Sequence, residues 1–348
     1  MIITRTPFRI SFAGGGSDLP KFYRRQTGAV VSVTIDKYMY VMLRDNFVRH
    51  QILLKYSKSE VVDRPEAIAH PIFRQVLCDY GLAGLEIALS ADVPAGTGLA
   101  SSSALTVGLH QNVGILLGRF PTKDQLARLA CDTEIEKLRQ PIGKQDQYAA
   151  AYGGLNFIEF HPDNRVTVER LHINGAKRGR LEQSLVLIYT GQASHSAEEL
   201  LRGMSSAMDD ENKHRQVAEM VKLAQSLRRE IVSACDPRAV AEILHEGWMR
   251  KRELATGITT DSIDAVYELG RKHGALGGKL LGAGGAGFIL FVCADGERDR
   301  LLAGMAQFQS LPFEFENQGS AVAYVSDDAM RRGRSERVTG KELRLIYG

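Results

Sequence analysis

Eleven residues, Pro94-Ala95-Gly96-Thr97-Gly98-Leu99-Ala100-Ser101-Ser102-Ser103-Ala104, constrain this chain more than any other stretch. Before them, Leu85, Ile87, Leu89, Ala91 and Val93 alternate along one face of a strand; after them, Leu105, Leu109, Val113 and Leu116 form a helical stripe. A loop of small residues that opens a helix leaves backbone N–H groups unpaired at the positive end of the helix dipole, which is a phosphate site. The spacing rules out two common nucleotide loops. Gly96, Gly98 and Ser101 mimic a dinucleotide fingerprint, but another helix follows where a second parallel strand is needed. No GxxxxGK[ST] run occurs.

The loop therefore predicts nucleotide binding through Pro94, Gly96, Thr97, Gly98, Leu99, Ala100, Ser101, Ser102 and Ser103. A serine hydroxyl in the first turn is also a suitable oxygen ligand for Mg²⁺.

The length of 348 residues accommodates two domains. The net charge of +3, without clustering, points away from nucleic acid or a membrane surface as partner. Cys78, Cys131, Cys235 and Cys293 are scattered and read as buried thiols. With no metal-binding histidine spacing, signal peptide or membrane-length apolar run, a cytoplasmic enzyme is expected, as monomer or homodimer.

Strands are expected at Phe8–Phe12, Ala29–Ile35 and Tyr38–Leu43. A helix capped by Thr122 and Gln125 should run to about Arg139, and a short one from Gln145 to Ala151. Residues 163–183 read as a polar connection. Beyond it come the strand Leu185–Tyr189, helices at 194–204, 209–234, 237–255 and 261–273, and the strand Phe288–Val292. Arg331, Arg332, Arg334 and Arg337 read as a solvated surface.

Asp146 falls in the first turn of its helix, two residues from Lys144, and is suited to accept a proton from an alcohol. The triple glycine Gly14-Gly15-Gly16 followed by Ser17-Asp18 lets backbone approach a ligand, with Asp18 able to accept hydrogen bonds from sugar hydroxyls. A second glycine-rich loop spans Gly282–Gly287.

Taken in order, Pro7–Asp18, Pro94–Ala104 and Lys279–Phe288 resemble the three signature motifs of the GHMP small-molecule kinases. The resemblance implies an α+β fold, with a ribosomal protein S5 domain 2-like N-terminal domain (1–180) and a ferredoxin-like C-terminal domain (181–348). It implies ATP and Mg²⁺. Asp146 would be the catalytic aspartate, supported by Arg9 or Lys144. Ser102 and Glu134 would contact the metal, with Ser101 and Glu136 as alternatives. Gly14, Gly15, Gly16, Ser17, Asp18, Gly284 and Gly285 would meet the substrate.

Galactose and mevalonate kinases carry a Gly-Glu-His turn where this chain has the triple glycine. Thr34–Tyr38 and Gly143–Tyr148 together with that turn resemble the branch acting on heptose 7-phosphate, with fucose kinases sharing much of the pattern. The implied partners are ATP and a sugar phosphate, and the implied reaction is phosphorylation of the anomeric hydroxyl. Lys21, Arg24 and Arg25 are candidates for the sugar's own phosphate. Another sugar acceptor, or a catalytically silent sensor on the same fold, remains the alternative.

Overall fold

Long β-pairing around one central strand organises the first half of the chain. The computed structural model describes residues 1–191 and 197–326. The strands β1 (Ile2–Ala13) and β2 (Gly28–Asp45) pair antiparallel along nearly their whole length. Sequence patterning divides β2 in two at Asp36-Lys37. The structure keeps it continuous, because the register shift between Pro7 and Phe8 absorbs those polar residues as a bulge.

A short helix α1 (Pro20–Tyr23) lies between β1 and β2; β3 (Ile52–Lys55), β4 (Ser59–Val62), α2 (Pro71–Tyr80) and β5 (Leu85–Ala91) follow. One end of β2 pairs with β5 through Met39–Asp45. Its other end, Gly28–Val33, pairs with β6 (Leu155–Phe160), which carries β7 (Val166–Arg170).

Three helices lie between β5 and β6 in sequence: α3 (Ser101–Leu116), α4 (Lys123–Cys131) and α5 (Gln145–Tyr152). Helix α3 packs on β1 and β2, and α4 and α5 pack on α3 and on each other. The Thr122–Gln125 capping box forms as expected. The helix it starts does not run on as α-helix to Arg139, because Asp132–Lys137 adopts a π turn. Residues 163–183 are also more than a connection, since they contain β7 and the helix α6 (Gly175–Ser184).

The second sheet has the order β11-β8-β10-β9, all antiparallel. It comprises β8 (Leu185–Tyr189), β9 (Ala275–Leu280), β10 (Phe288–Cys293) and β11 (Ser310–Leu311). Between β8 and β9 run α7 (Ala197–Ala207), α8 (Glu211–Ser233), α9 (Pro237–Lys251) and α10 (Asp261–Lys272); α11 (Arg298–Gly304) follows β10. Pro237 starts α9 as expected, but the Asp236 side chain does not cap it. Helix α9 packs on β9 and β10, while α8 packs on α9 and on β1 and β2, so this pair joins the two sheets. Trp248 and Tyr267 are buried in that layer, where Trp248 packs on Tyr267 and Tyr267 stacks on Phe291.

The chain then returns to the first sheet through β12 (Phe315–Glu316) on β2 and β13 (Ala321–Val325) on β1. The first sheet therefore draws strands from both sides of residue 180. No described helix is long and apolar enough to cross a membrane. Arg331, Arg332, Arg334 and Arg337, and the first residues of the helix expected at 194–204, lie outside the described residues.

Candidate active site

The small-residue loop between β5 and α3 turns through left-handed backbone at Gly96 (φ 80°), Gly98 (φ 83°) and Ala100 (φ 68°). Ala100 occupies the N-cap of α3 and has no side chain to cap it, which leaves the first-turn amides of the helix for a ligand. Gly96, Gly98, Ala100, Ser101, Ser102 and Ser103 line a cleft of about 230 Å³.

Pro94, Thr97 and Leu99 serve the loop from behind. The Thr97 hydroxyl donates to the Pro94 carbonyl at 3.0 Å, the Thr97 carbonyl accepts from Phe288 N, and the Leu99 carbonyl accepts from Arg9 N. Gly98 meets the second glycine loop backbone to backbone. A Cβ on Gly282 would lie 2.5 Å from the Gly98 Cα, so neither position accepts a side chain.

Arg9, on β1, joins three parts of this cleft. Its Nε and Nη2 donate to the two carboxylate oxygens of Asp146 at 2.7 and 2.8 Å, and Nη1 donates to the Gly98 carbonyl at 2.6 Å. Such a two-point charged fork fixes both the position and the plane of a carboxylate. Asp146 stands in the first turn of α5 and keeps a quarter of its side chain exposed to the cleft, against 4% for Arg9. Next to it, the Ser11 hydroxyl donates to Gln145 Oε1 at 2.9 Å.

Glu134 reaches the same cleft through the π turn. The widened helix turns Thr133 and Glu134 inward, where Thr133 shares a hydrogen bond with buried His110. The fully buried Glu134 carboxylate accepts from Ser102 Oγ at 2.7 Å, Ser103 Oγ at 2.9 Å and Gln147 Nε2 at 2.7 Å. Burial pushes its carboxyl up, and the three hydrogen bonds oppose that. All three partners are neutral, and Gln147 Oε1 beside it is buried with no partner among the described residues. A carboxylate, a serine hydroxyl and a vacant amide oxygen form a hard-oxygen donor set that fits Mg²⁺. Glu136 stands exposed, 3.9 Å from Arg139, and lines a different cavity.

At the other end, Gly15, Gly16 and Asp18 line the cleft. Asp18 accepts from Gly16 N at 3.1 Å and from Gln145 N at 3.3 Å. Gly143 permits this, since a Cβ there would sit 1.9 Å from an Asp18 oxygen. Burial first, then the nearby charge of Asp146, push the Asp18 carboxyl up to about 6. Gly14 and Ser17 have another task. Gly14 backs onto the Ala29 carbonyl, and Ser17 Oγ donates to the carbonyls of Gly14 and Ala29, closing the turn beneath the cleft.

Several expected residues lie elsewhere. Lys144 points away from Asp146, with its ammonium on Asn164 Oδ1 at 2.5 Å and over the Tyr23 ring, in a separate cavity behind α5. Helix start and side-chain direction diverge there, so proximity in sequence misleads. Gly284 and Gly285 pack on Ile258, outside the cleft lining; the loop positions that do reach it are Gly282 and Ala283. Lys21 and Arg25 form exposed ion pairs with Asp209 and Glu211, and Arg24 is exposed.

The structure adds Lys251, Lys279, Gln140, Leu201 and Met204 to the lining. Lys279 belongs to the third motif, which was the available signal. Lys251 ends an amphipathic helix and carried none.

Two family models match the chain: the GHMP kinases N terminal domain over residues 67–154 and the GHMP kinases C terminal over 223–308. The chain is 28% identical to the D-glycero-alpha-D-manno-heptose 7-phosphate kinase of Campylobacter jejuni, over 91% of this chain and 97% of that one. It is 23% identical to the L-fucokinase/L-fucose-1-P guanylyltransferase of Bacteroides fragilis, over 84% of this chain and 34% of that relative. In fold it matches a D-glycero-D-manno-heptose 1-phosphate kinase from Bacteroides thetaiotaomicron, with a TM-score of 0.77 and 23% identity over 94% of this chain and all of that one. The galactokinase of Lactococcus lactis gives 0.70 and 16% over 93% and 95%.

Proposed function

This chain belongs to the GHMP kinases, phosphotransferases with an alcohol group as acceptor, and on that premise we propose that it uses ATP to phosphorylate the anomeric hydroxyl of D-glycero-D-manno-heptose 7-phosphate. The observation that carries the chemistry is the Arg9–Asp146 fork set beside an uncapped helix N-terminus. One part holds phosphates and the other holds a base.

In this reading the amides from Gly96 to Ser103 and the dipole of α3 bind the nucleotide phosphates. Ser102 and Glu134 are the residues that would hold Mg²⁺, which when bound neutralises charge on those phosphates. Gly15, Gly16 and Asp18 receive the sugar, and Asp146 orients its 1-hydroxyl. As the bond from O1 to the terminal phosphorus forms, the bond from that phosphorus to the bridging oxygen of ADP breaks. The hydroxyl proton passes to Asp146. The products are the 1,7-bisphosphate, ADP and one proton. Arg9 keeps the carboxylate in line throughout.

The likeness to the Campylobacter jejuni relative along nearly the whole chain supports heptose 7-phosphate as acceptor. Similarity to fucokinases favours a second reading, an unphosphorylated sugar. A coupled ADP-release panel separates them, using heptose 7-phosphate, mannose 6-phosphate, fucose, galactose and mevalonate. We expect kcat/KM for heptose 7-phosphate to exceed the others by about 10² or more, the scale on which mismatched polar contacts discriminate. A higher value for fucose or galactose overturns the acceptor assignment. No ADP release with any sugar overturns catalysis itself.

A further inference from the structure

We propose that Lys251 is a catalytic cation that grips the terminal phosphoryl group of the nucleotide and carries its charge during transfer. The inference rests on the reading above only in taking a nucleoside triphosphate as donor. Phosphoryl transfer spreads negative charge over the non-bridging oxygens, and enzymes meet it with positioned cations. Among the described residues, three basic side chains line the cleft: Arg9, Lys251 and Lys279.

Arg9 is engaged elsewhere, with Nε and Nη2 on Asp146 and Nη1 on the Gly98 carbonyl. It positions the base. Lys279 donates at 2.8 Å to the Ser11 carbonyl, on the sugar-side continuation of β1. Burial, with the charges of Lys251 and Arg9 adding to it, pulls Lys279 well below the usual lysine range, toward a neutral amine.

Lys251 differs in place and in state. Its ammonium donates to the carbonyl of Gly282, the residue whose backbone abuts Gly98 of the phosphate loop. The group thus stands at the seam between the two glycine loops, in the cleft that the first turn of α3 also lines. An ammonium has three donors, and this single protein contact leaves two of them for a ligand. Among the described residues, no carboxylate forms an ion pair with it, although it is 96% buried. A buried cation without a counter-ion is costly, and an arriving phosphoryl oxygen relieves that cost. Burial and the charge of Arg9 bring Lys251 down to about 8, opposed by Asp18 and Asp146, so it remains mostly protonated at neutral pH.

The test compares Lys251→Gln, which keeps a donor for the Gly282 carbonyl but loses the charge, with Lys251→Arg, which keeps the charge. Titration calorimetry without sugar measures binding of ADP and of adenosine 5′-(γ-thio)triphosphate to each folded variant. We expect the Gln variant to bind ADP within about threefold of wild type and the triphosphate at least about tenfold more weakly, with the Arg variant recovering part of that loss. Equal weakening of both nucleotides, as a purely structural support of the loop would give, overturns the proposal, and so does no weakening of either. If Lys251→Gln does not fold, the wild-type protein decides. Proton uptake at about pH 8.5 on binding the triphosphate but not ADP supports the proposal, and equal uptake overturns it. With no sugar in the cell, a wrong heptose assignment leaves every one of these outcomes unchanged.

Discussion

Asp146→Asn is expected to lower turnover by about 10²–10⁴ while nucleotide affinity stays within about threefold, the range for removing a positioned general base. The asparagine keeps the shape of the side chain and one oxygen for the Arg9 fork, but it cannot accept the proton of the sugar hydroxyl. The cleft should otherwise hold, since Arg9 remains anchored through Nη1 on the Gly98 carbonyl. Steady-state rates with calorimetric ADP binding check this. Near-wild-type turnover would remove Asp146 from the chemistry, and loss of ADP binding would make the pair a support of the loop instead.

Glu134→Gln should separate function from stability. The Mg²⁺ concentration for half-maximal rate is expected to rise by at least about 10–100-fold, since losing a ligand costs no less than losing a group that merely orders one. The thermal midpoint should stay level or rise. Burial penalises the native carboxylate, and its three hydrogen bonds offset that only in part. In the variant, the Gln147 amide can flip to present its Oε1 to the new donor, which keeps the hydrogen bond between the two side chains. A Mg²⁺ titration and a melting curve on the same sample decide it. An unchanged metal response would place the ion elsewhere.

The small-residue loop was legible as a strand-to-helix junction because it joins two strong periodic signals, the alternation of β5 and the stripe of α3. The Thr122–Gln125 cap was equally plain, since both partners are local. Glu134 was harder. On an ideal α-helix its place is a solvated face, and only the π turn rotates it onto Ser102 and Ser103. That turn is held by long-range contacts, Thr133 to His110 and Glu134 to the serines, which local propensity does not encode.

Residues 163–183 were misread for a related reason. Strand β7 packs at the edge of the sheet with no buried residue, and α6 contains Gly175 and Gly179, so neither shows its period clearly. Lys144 and Lys251 show the same limit at the site. One lies beside Asp146 in sequence and turns away, while the other is 105 positions distant in numbering and lines the cleft. Helix packing between the two sheets brings Lys251 there, and no local pattern records it.

We propose that this cleft moves a phosphoryl group onto the anomeric oxygen of a sugar that already carries a phosphate. Phosphorus NMR of the product formed from ATP and D-glycero-D-manno-heptose 7-phosphate tests it most directly. A new phosphate signal coupled to the anomeric proton is expected, with the 7-phosphate signal retained. A phosphate on any other carbon, or ADP and free phosphate with the sugar unchanged, would contradict it.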